Sequence, residues 1–155
     1  MSPSGLHSGH MNNPTTSPQP ASSSTLLITH TDRDGIFSGA SLLRSLGDTC
    51  APEVLLTQGS YLAYELEDLV AQSRRFISIF VTDTYWHGPH GERIARSLDQ
   101  LLVPGGEVTW IDHHPSSVEG EAWMRSRLPL SAHSRIVGDR AGKHEAVSLV
   151  AESFG

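Results

Sequence analysis

Seven histidine and aspartate residues gather at three points of this chain. In chain order they are His30, Asp32, Asp34, Asp83, Asp112, His113 and His114. Neighbouring carboxylates repel one another, and a divalent cation among them is the simplest way to offset that repulsion. Mixed carboxylate and imidazole ligands favour Mn²⁺ or a similar first-row cation, and the absence of cysteine from the three groups argues against a structural zinc site. The residue types therefore predict a divalent metal centre.

Each group follows a short apolar run of the kind that forms a buried strand. The runs cover residues 26–28, 76–81 and 108–111. Because the carboxyl ends of parallel strands share one edge of a sheet, where ligands bind, we expect the three groups to meet in a single site. Alternate residues of an extended segment point the same way. This spacing predicts that the first group directs its three ligand-type side chains together, while Arg33 points away from them.

Strand-like and helix-like segments alternate from residue 25 onward. The predicted strands cover residues 25–29, 53–57, 76–82, 107–111 and 135–137. The predicted helices cover residues 36–46, 61–71, 91–102 and 142–153. Alternation of this kind predicts an α/β fold, in which a parallel β-sheet with right-handed crossovers is flanked by helices on both faces.

The composition separates a tail from a single domain. Residues 1–24 are rich in Ser, Pro, Thr and Asn and contain few large apolar side chains. Such a segment buries too little surface to offset the entropy lost on ordering, so we expect a disordered tail followed by one domain over residues 25–155.

Charge and hydropathy exclude several classes of protein. The net charge of −6 argues against binding of long duplex DNA by the whole surface, but not against a small anionic substrate beside bound cations. No apolar run reaches the roughly 20 residues of a membrane span, and the N-terminus lacks the pattern of a secretory signal. The single cysteine, Cys50, fits a reducing compartment. These features together predict a cytoplasmic protein with no membrane contact.

The ordered set of motifs resembles the DHH phosphoesterase superfamily over residues 25 to about 154. The matching motifs are His30-Thr31-Asp32-Arg33-Asp34-Gly35, then Asp83, then Asp112-His113-His114-Pro115. That superfamily includes RecJ-type exonucleases, oligoribonucleases, cyclic-dinucleotide phosphodiesterases and family II inorganic pyrophosphatases. The resemblance implies a hydrolase with two divalent cations, most often Mn²⁺ with Mg²⁺ or Co²⁺ as alternatives, and a water activated by the two metals that attacks phosphorus.

The resemblance also implies a role for each residue of the motifs. One cation would be held by His30 and Asp32, the other by Asp34 and His113, and Asp83 would bridge them. Catalysis would further involve Asp112, which supports the ligands, and His114, which faces the substrate phosphate.

The spacing of the first motif bears on the substrate. His30 lies two residues before Asp32, whereas the pyrophosphatase branch has His-x-x-x-Asp-x-Asp. The spacing here resembles the Asp-x-Asp-x-Asp-Gly motif of the RecJ-type nucleases, with histidine in place of the first aspartate. We therefore expect a phosphodiester substrate, namely a short oligonucleotide or a nucleotide. Arg140, Lys143 and His144 lie where the last predicted helix begins and are candidate phosphate contacts, with a solvated turn as the alternative.

A second hypothesis follows from how the chain ends. Members of the superfamily carry a fourth-motif aspartate and a C-terminal substrate domain after the Asp-His-His motif, and Asp139 matches that aspartate poorly. The sequence is thus also consistent with a truncated, inactive remnant that binds metal or nucleotide without turnover. An unrelated α/β domain that binds metal or nucleotide is a third, weaker alternative.

Overall fold

A parallel β-sheet lies at the centre of the molecule. The computed structural model describes residues 25–48, 50–85, 90–114, 118–136 and 145–155. Its strands are β1 (Thr25–His30), β2 (Glu53–Thr57), β3 (Phe76–Thr82), β4 (Leu102–Asp112) and β5 (Arg135–Ile136). Its helices are α1 (Arg33–Leu46), α2 (Leu62–Ala71), α3 (Gly91–Leu101), α4 (Val118–Arg127) and α5 (Ala146–Phe154).

The strand order places a topological switch point between β1 and β3. Within the described residues the order is β2-β1-β3-β4-β5, and every neighbouring pair is parallel. The chain first runs from β1 to β2 on one side and then crosses to β3 on the other side. Connections that leave in opposite directions open a crevice at the carboxyl ends of the two central strands, where α/β proteins bind their ligands.

Helices cover both faces of the sheet. On one face Leu26, Ile28 and Trp110 are fully buried in a cluster to which α2, α3 and α4 contribute. On the other face Leu27 and Ile111 pack in a second cluster with side chains of α1 and α5. Consecutive residues of a strand point to opposite faces, so a central parallel strand needs apolar residues at nearly every position. The predicted α/β fold with helices on both faces is confirmed.

The element boundaries agree with the sequence prediction in part. The strands predicted over residues 53–57 and 76–82 have those bounds in the structure, whereas β4 starts five residues before its predicted start and includes the Pro104-Gly105-Gly106 segment. Helix α4 was not predicted, because residues 118–127 have few apolar side chains and no clear helical period. Residues 1–24, 137 and 142–144, to which other predictions apply, lie outside the described residues.

Helix α1 starts at Arg33, three residues before its predicted start. Asp32 is extended and acts as the N-cap residue, so Asp34 falls in the first helical turn. The extended geometry from which residues 30, 32 and 34 were expected to point the same way therefore holds only as far as Asp32, because Asp34 is already helical. In the part of the chain that the structure describes, no helix has the length and apolarity needed to cross a membrane.

Candidate metal centre

The predicted ligand residues meet at the carboxyl ends of the three central strands. His30 is the last residue of β1, Asp83 directly follows β3, and Asp112 is the last residue of β4. His113 and His114 continue from β4. Because β3 lies between β1 and β4, its terminal residue Asp83 is placed between the groups carried by the two flanking strands.

Asp83 is the most unusual residue of the site. It has a left-handed backbone conformation with φ 51°, and its N–H donates to the carbonyl of Ile111 at 3.0 Å. The residue is 1% exposed, and neither carboxylate oxygen accepts a hydrogen bond from the described residues. Burial, together with the negative charges of Asp34 and Asp32, raises the pKa of Asp83 to about 7. A buried carboxylate in this setting favours a cation beside it.

Two groups of potential ligands share Asp83. One consists of Asp83, His113 and His114, and the other of His30, Asp32 and Asp83. In each group the candidate ligand atoms lie within 4.8 Å of one another, among the residues that the structure describes. The Nε2 atom of His113 is 3.0 Å from Oδ1 of Asp83, and Nδ1 of His30 is 3.0 Å from Oδ2 of Asp32. Imidazole nitrogens and carboxylate oxygens at this spacing fit first-row divalent cations.

Asp32 has a structural role in addition to its place in the second group. Its Oδ1 atom accepts a hydrogen bond of 2.9 Å from the N–H of Gly35, which caps the N-terminus of α1. Desolvation alone would raise the pKa of Asp32, but the hydrogen bond from Gly35 and the nearby His30 bring it below its ordinary value. The side chain therefore stays ionised, as a metal ligand must be.

Asp34 lies between α5 and one of the two ligand groups. Its Oδ2 atom accepts a hydrogen bond of 2.9 Å from the N–H of Ala146, and its Oδ1 atom accepts one of 3.4 Å from Val147. The same Oδ2 atom lies 3.6 Å from Nε2 of His113. Among the described residues Asp34 belongs to neither ligand group, although it lies beside one of them. It links the first motif to the last helix.

Asp112 is buried and holds His114 in place. Its Oδ1 atom is 2.6 Å from Nδ1 of His114 and also accepts a hydrogen bond of 3.3 Å from the N–H of the same residue. The hydrogen bond to Asp112 raises the pKa of His114, and the charge of Asp83, 4.0 Å away, acts in the same direction. Since His114 is also part of a ligand group, its position suits either a cation or a substrate phosphate.

Two threonine hydroxyls below the site were missed by the sequence reasoning. Thr82 donates to the hydroxyl of Thr29 at 2.9 Å, and Thr29 donates to the carbonyl of Gly35 at 2.5 Å. Gly35 itself packs so closely on β1 that a Cβ atom there would lie 2.7 Å from Cβ of His30 and would clash with the carbonyl of His30. The sequence contains a pattern that could have identified these hydroxyls, because β1, β2 and β3 each have a threonine at or next to the carboxyl end.

The structure describes only some of the remaining candidate residues. Arg140, Lys143 and His144, predicted to contact phosphate, lie outside the described residues, as does Asp139. Arg33 is at the start of α1, and its guanidinium carbon lies 6.0 Å from the ring centre of Phe37. The arginine is thus associated with an aromatic side chain, and it lines the same cavity as Asp32 and Asp34.

Comparison with known proteins yields little. No protein-family model matches the chain, and no curated protein matches it. Among solved structures the chain is similar to the crystal structure of an uncharacterized protein from Helicobacter pylori G27, with 17% sequence identity and a TM-score of 0.49. The match covers 83% of this chain and 35% of the other, so this chain spans about a third of the length of that protein.

Proposed function

We propose that this chain forms the metal-binding part of a phosphoesterase that hydrolyses phosphodiester bonds in short nucleic acids or nucleotides. The observation that supports the proposal most directly is the position of Asp83. It is a buried carboxylate with two oxygens that accept no hydrogen bond from the described residues, and it is shared by two groups of histidine and aspartate ligands. A carboxylate shared in this way can hold two cations at the separation of about 3.5–4 Å that is typical of two-metal sites.

Two bound Mn²⁺ ions would supply Lewis-acid stabilisation of the phosphoryl oxygens and would lower the pKa of a coordinated water. His30 and Asp32 would hold one ion, His113 would hold the other, and Asp83 would contact both. Burial and the negative charges of Asp34 and Asp32 raise the pKa of Asp83, and a cation bound beside the carboxylate would oppose both effects.

The pair formed by Asp112 and His114 would act on the substrate. The hydrogen bond at Nδ1 fixes the orientation of the imidazole ring and leaves Nε2 to face a ligand. Because Asp112 raises the pKa of His114, this side chain holds its proton more readily than an ordinary histidine and can donate it in a hydrogen bond to a phosphoryl oxygen. Asp112 is thus a positioning residue for His114.

The choice of a phosphodiester rests on the resemblance of the first motif to that of RecJ-type nucleases. The residues of the motifs all lie at one edge of the sheet, and this common position supports the resemblance. They are His30 and Asp32 after β1, Asp83 after β3, and Asp112-His113-His114 at the end of β4. A cytoplasmic location and the use of Mn²⁺ belong to the same proposal.

The first experiment measures metal binding and hydrolysis with the purified full chain. Calorimetry is expected to show uptake of about two Mn²⁺ per chain, and bis(p-nitrophenyl) phosphate and a dinucleotide are expected to be hydrolysed only when Mn²⁺ is present. Asp83→Ala should abolish hydrolysis and weaken metal binding. Asp68→Ala, which removes an exposed carboxylate of α2, is the matched control and should leave both unchanged.

Weak binding or no binding of Mn²⁺, together with the absence of an Mn²⁺-dependent product, would refute the proposal. Full hydrolytic activity in Asp83→Ala would refute the bridging role of this residue in particular.

One observation favours a second function, which is metal or nucleotide binding without turnover. Both carboxylate oxygens of Asp34 accept hydrogen bonds from α5, although the resemblance implies a ligand role for this residue. If α5 keeps Asp34 in this position, the second cation has fewer protein ligands and binds more weakly. Binding of a single Mn²⁺ per chain without hydrolysis is the result that this alternative predicts.

A further inference from the structure

A cavity of about 470 Å³ opens beside the first motif, between the N-terminal ends of α1 and α5. It is lined by Asp32, Arg33, Asp34, Phe37, Glu145 and Val147. Its volume is within the range of about 300–1,000 Å³ that is typical of small-molecule sites. Because Asp32 also belongs to a ligand group of the metal centre, a molecule in this cavity would be next to a phosphate bound there.

Phe37 gives the cavity an aromatic surface. The side chain is 55% exposed, although a phenylalanine on a helix ordinarily packs against the sheet. Arg33 places its guanidinium carbon over the same ring, 6.0 Å from its centre, so a positive charge lies above one face of the aromatic side chain and the cavity has an aromatic group and a cation side by side. An exposed aromatic ring beside a cation is a common arrangement for binding single-stranded nucleotides, in which the ring stacks on the base and the cation attracts phosphate.

The three acidic side chains of the cavity differ in what they contact. Asp32 caps α1 and belongs to a ligand group, while Asp34 accepts hydrogen bonds from two backbone amides of α5. Glu145 is the N-cap residue of α5, is exposed, and makes no capping hydrogen bond with the described residues of its helix. A carboxylate can only accept hydrogen bonds, so Glu145 selects for ligands that offer N–H donors.

We propose that this cavity is a nucleobase subsite, in which Phe37 stacks on the base of a nucleotide and Glu145 accepts hydrogen bonds from it. The proposal rests on the proposed function and specifies which part of the substrate the chain recognises. Guanine has two adjacent N–H donors on one edge, whereas the corresponding edge of uracil has one donor between two acceptors. The subsite therefore prefers guanine, and Arg33 contributes attraction to the phosphate on the same nucleotide.

The test measures binding of nucleotides to the full chain in the presence of Mn²⁺ by calorimetry. Guanosine monophosphate should bind more tightly than uridine monophosphate, and both more tightly than ribose 5-phosphate, which has no base. Phe37→Ala should weaken binding of guanosine monophosphate by about tenfold, through the loss of base stacking, and should hardly affect ribose 5-phosphate. Phe37→Leu, which keeps an apolar side chain of similar size, should show most of the same loss.

Ile36→Ala is the matched control. Ile36 is the neighbouring residue of α1, is 50% exposed and does not line the cavity, so its removal should leave nucleotide binding unchanged. Glu145→Gln should remove the preference for guanosine over uridine monophosphate, since an amide offers a donor as well as an acceptor. Equal binding of guanosine monophosphate and ribose 5-phosphate, or equal loss in Phe37→Ala and Ile36→Ala, would overturn the subsite.

The results separate the failure of the subsite from the failure of the proposed function. Binding of guanosine monophosphate that depends on Phe37, without any hydrolysis of a dinucleotide, supports the subsite and refutes the enzyme. Hydrolysis that depends on Mn²⁺, without any difference between bases and without an effect of Phe37→Ala on binding, supports the enzyme and refutes the subsite.

Discussion

Asp83 combines two unfavourable features in a single residue. Its backbone is in the left-handed region, which is uncommon for residues other than glycine, although aspartate adopts it more often than most. Its carboxylate is buried without a hydrogen bond from the described residues. Either feature raises the free energy of the folded state. Residues with such features are concentrated at functional sites, where the surrounding structure holds them in the unfavourable conformation. The neighbouring His113 offsets part of the cost, as its Nε2 atom lies 3.0 Å from the carboxylate.

The buried carboxylate of Asp83 leads to a prediction about stability and pH in the metal-free protein. Its pKa is about 7 in the folded state and near 3.8 in an unfolded chain. Between these values the folded state binds the proton more tightly, so the free energy of unfolding decreases as the pH rises from about 4 to about 7. Asp83→Asn cannot ionise and should be more stable than the natural protein at about pH 8, by about 1–3 kcal/mol.

Urea denaturation in the presence of a chelator measures this difference. At about pH 4 the two proteins should have similar stability, because the folded natural protein then carries Asp83 in its neutral form. Asp68→Asn serves as the control for an exposed carboxylate and should show no such dependence on pH. A variant Asp83→Asn that is less stable than the natural protein at about pH 8 would contradict the burial argument.

At the scale of elements, two aspartates of one motif accept hydrogen bonds from the N-terminal ends of two different helices. Asp32 caps α1, and Asp34 accepts hydrogen bonds from the first two amides of α5, although the residues are only two positions apart. Helix α5 also packs on α1 through Leu149 and Val150 in the second apolar cluster. The N-terminal end of a helix carries partial positive charge, so the carboxylate of Asp34 stabilises α5 both by hydrogen bonding and by its charge.

Replacement of Asp34 tests this link between the first motif and α5. Asp34→Ala should lower the free energy of unfolding by about 1 kcal/mol in the metal-free protein, as is usual for loss of a helix cap. Hydrogen exchange followed by mass spectrometry should show that residues 146–150 exchange faster in the variant than in the natural protein, whereas exchange in residues 62–71 of α2 is unchanged. Asp99→Ala, an exposed carboxylate of α3, provides the comparison. Unchanged exchange in α5 would show that the carboxylate of Asp34 does not hold this helix.

At the scale of the whole molecule, the metal centre joins segments that are distant in the chain. Its candidate ligands come from the ends of β1, β3 and β4, which are three neighbouring strands of the sheet. Unfolding separates these strands, so the unfolded chain cannot hold a cation with the same set of ligands. Binding to the folded state alone must then stabilise the entire domain.

Thermal unfolding measures this linkage. At a free Mn²⁺ concentration about 100 times the dissociation constant, binding should add about 3 kcal/mol and raise Tm on the order of 5–10 °C. Asp83→Ala should lose most of this increase, and Asp68→Ala should retain it. An increase in Tm that is equal in natural protein and Asp83→Ala would mean that Mn²⁺ binds elsewhere.

Much of the fold follows from local patterns in the sequence. The apolar runs ending at Thr57 and Thr82 predicted β2 and β3 with their observed bounds, because strands of a parallel sheet covered by helices are rich in apolar residues, although Val54 and Leu56 of the edge strand β2 are exposed. Helix α4 was missed, since its position depends on packing of Met124 against the sheet rather than on a periodic pattern of its own. The start of α1 was also misplaced, because Asp32 was interpreted as part of an extended segment and not as a helix cap.

The sequence alone determined which residue types were available and in what order they follow the strands. That information was enough to predict an α/β fold and a site at the carboxyl edge, because strand period and chain connectivity are local properties. Only the tertiary structure decided that Asp83 is shared by two ligand groups and that Asp34 is directed toward α5. The cavity between α1 and α5 likewise joins Phe37 to Glu145, which are far apart in the chain. Such contacts depend on how the helices pack on the sheet, and no local sequence pattern specifies that packing.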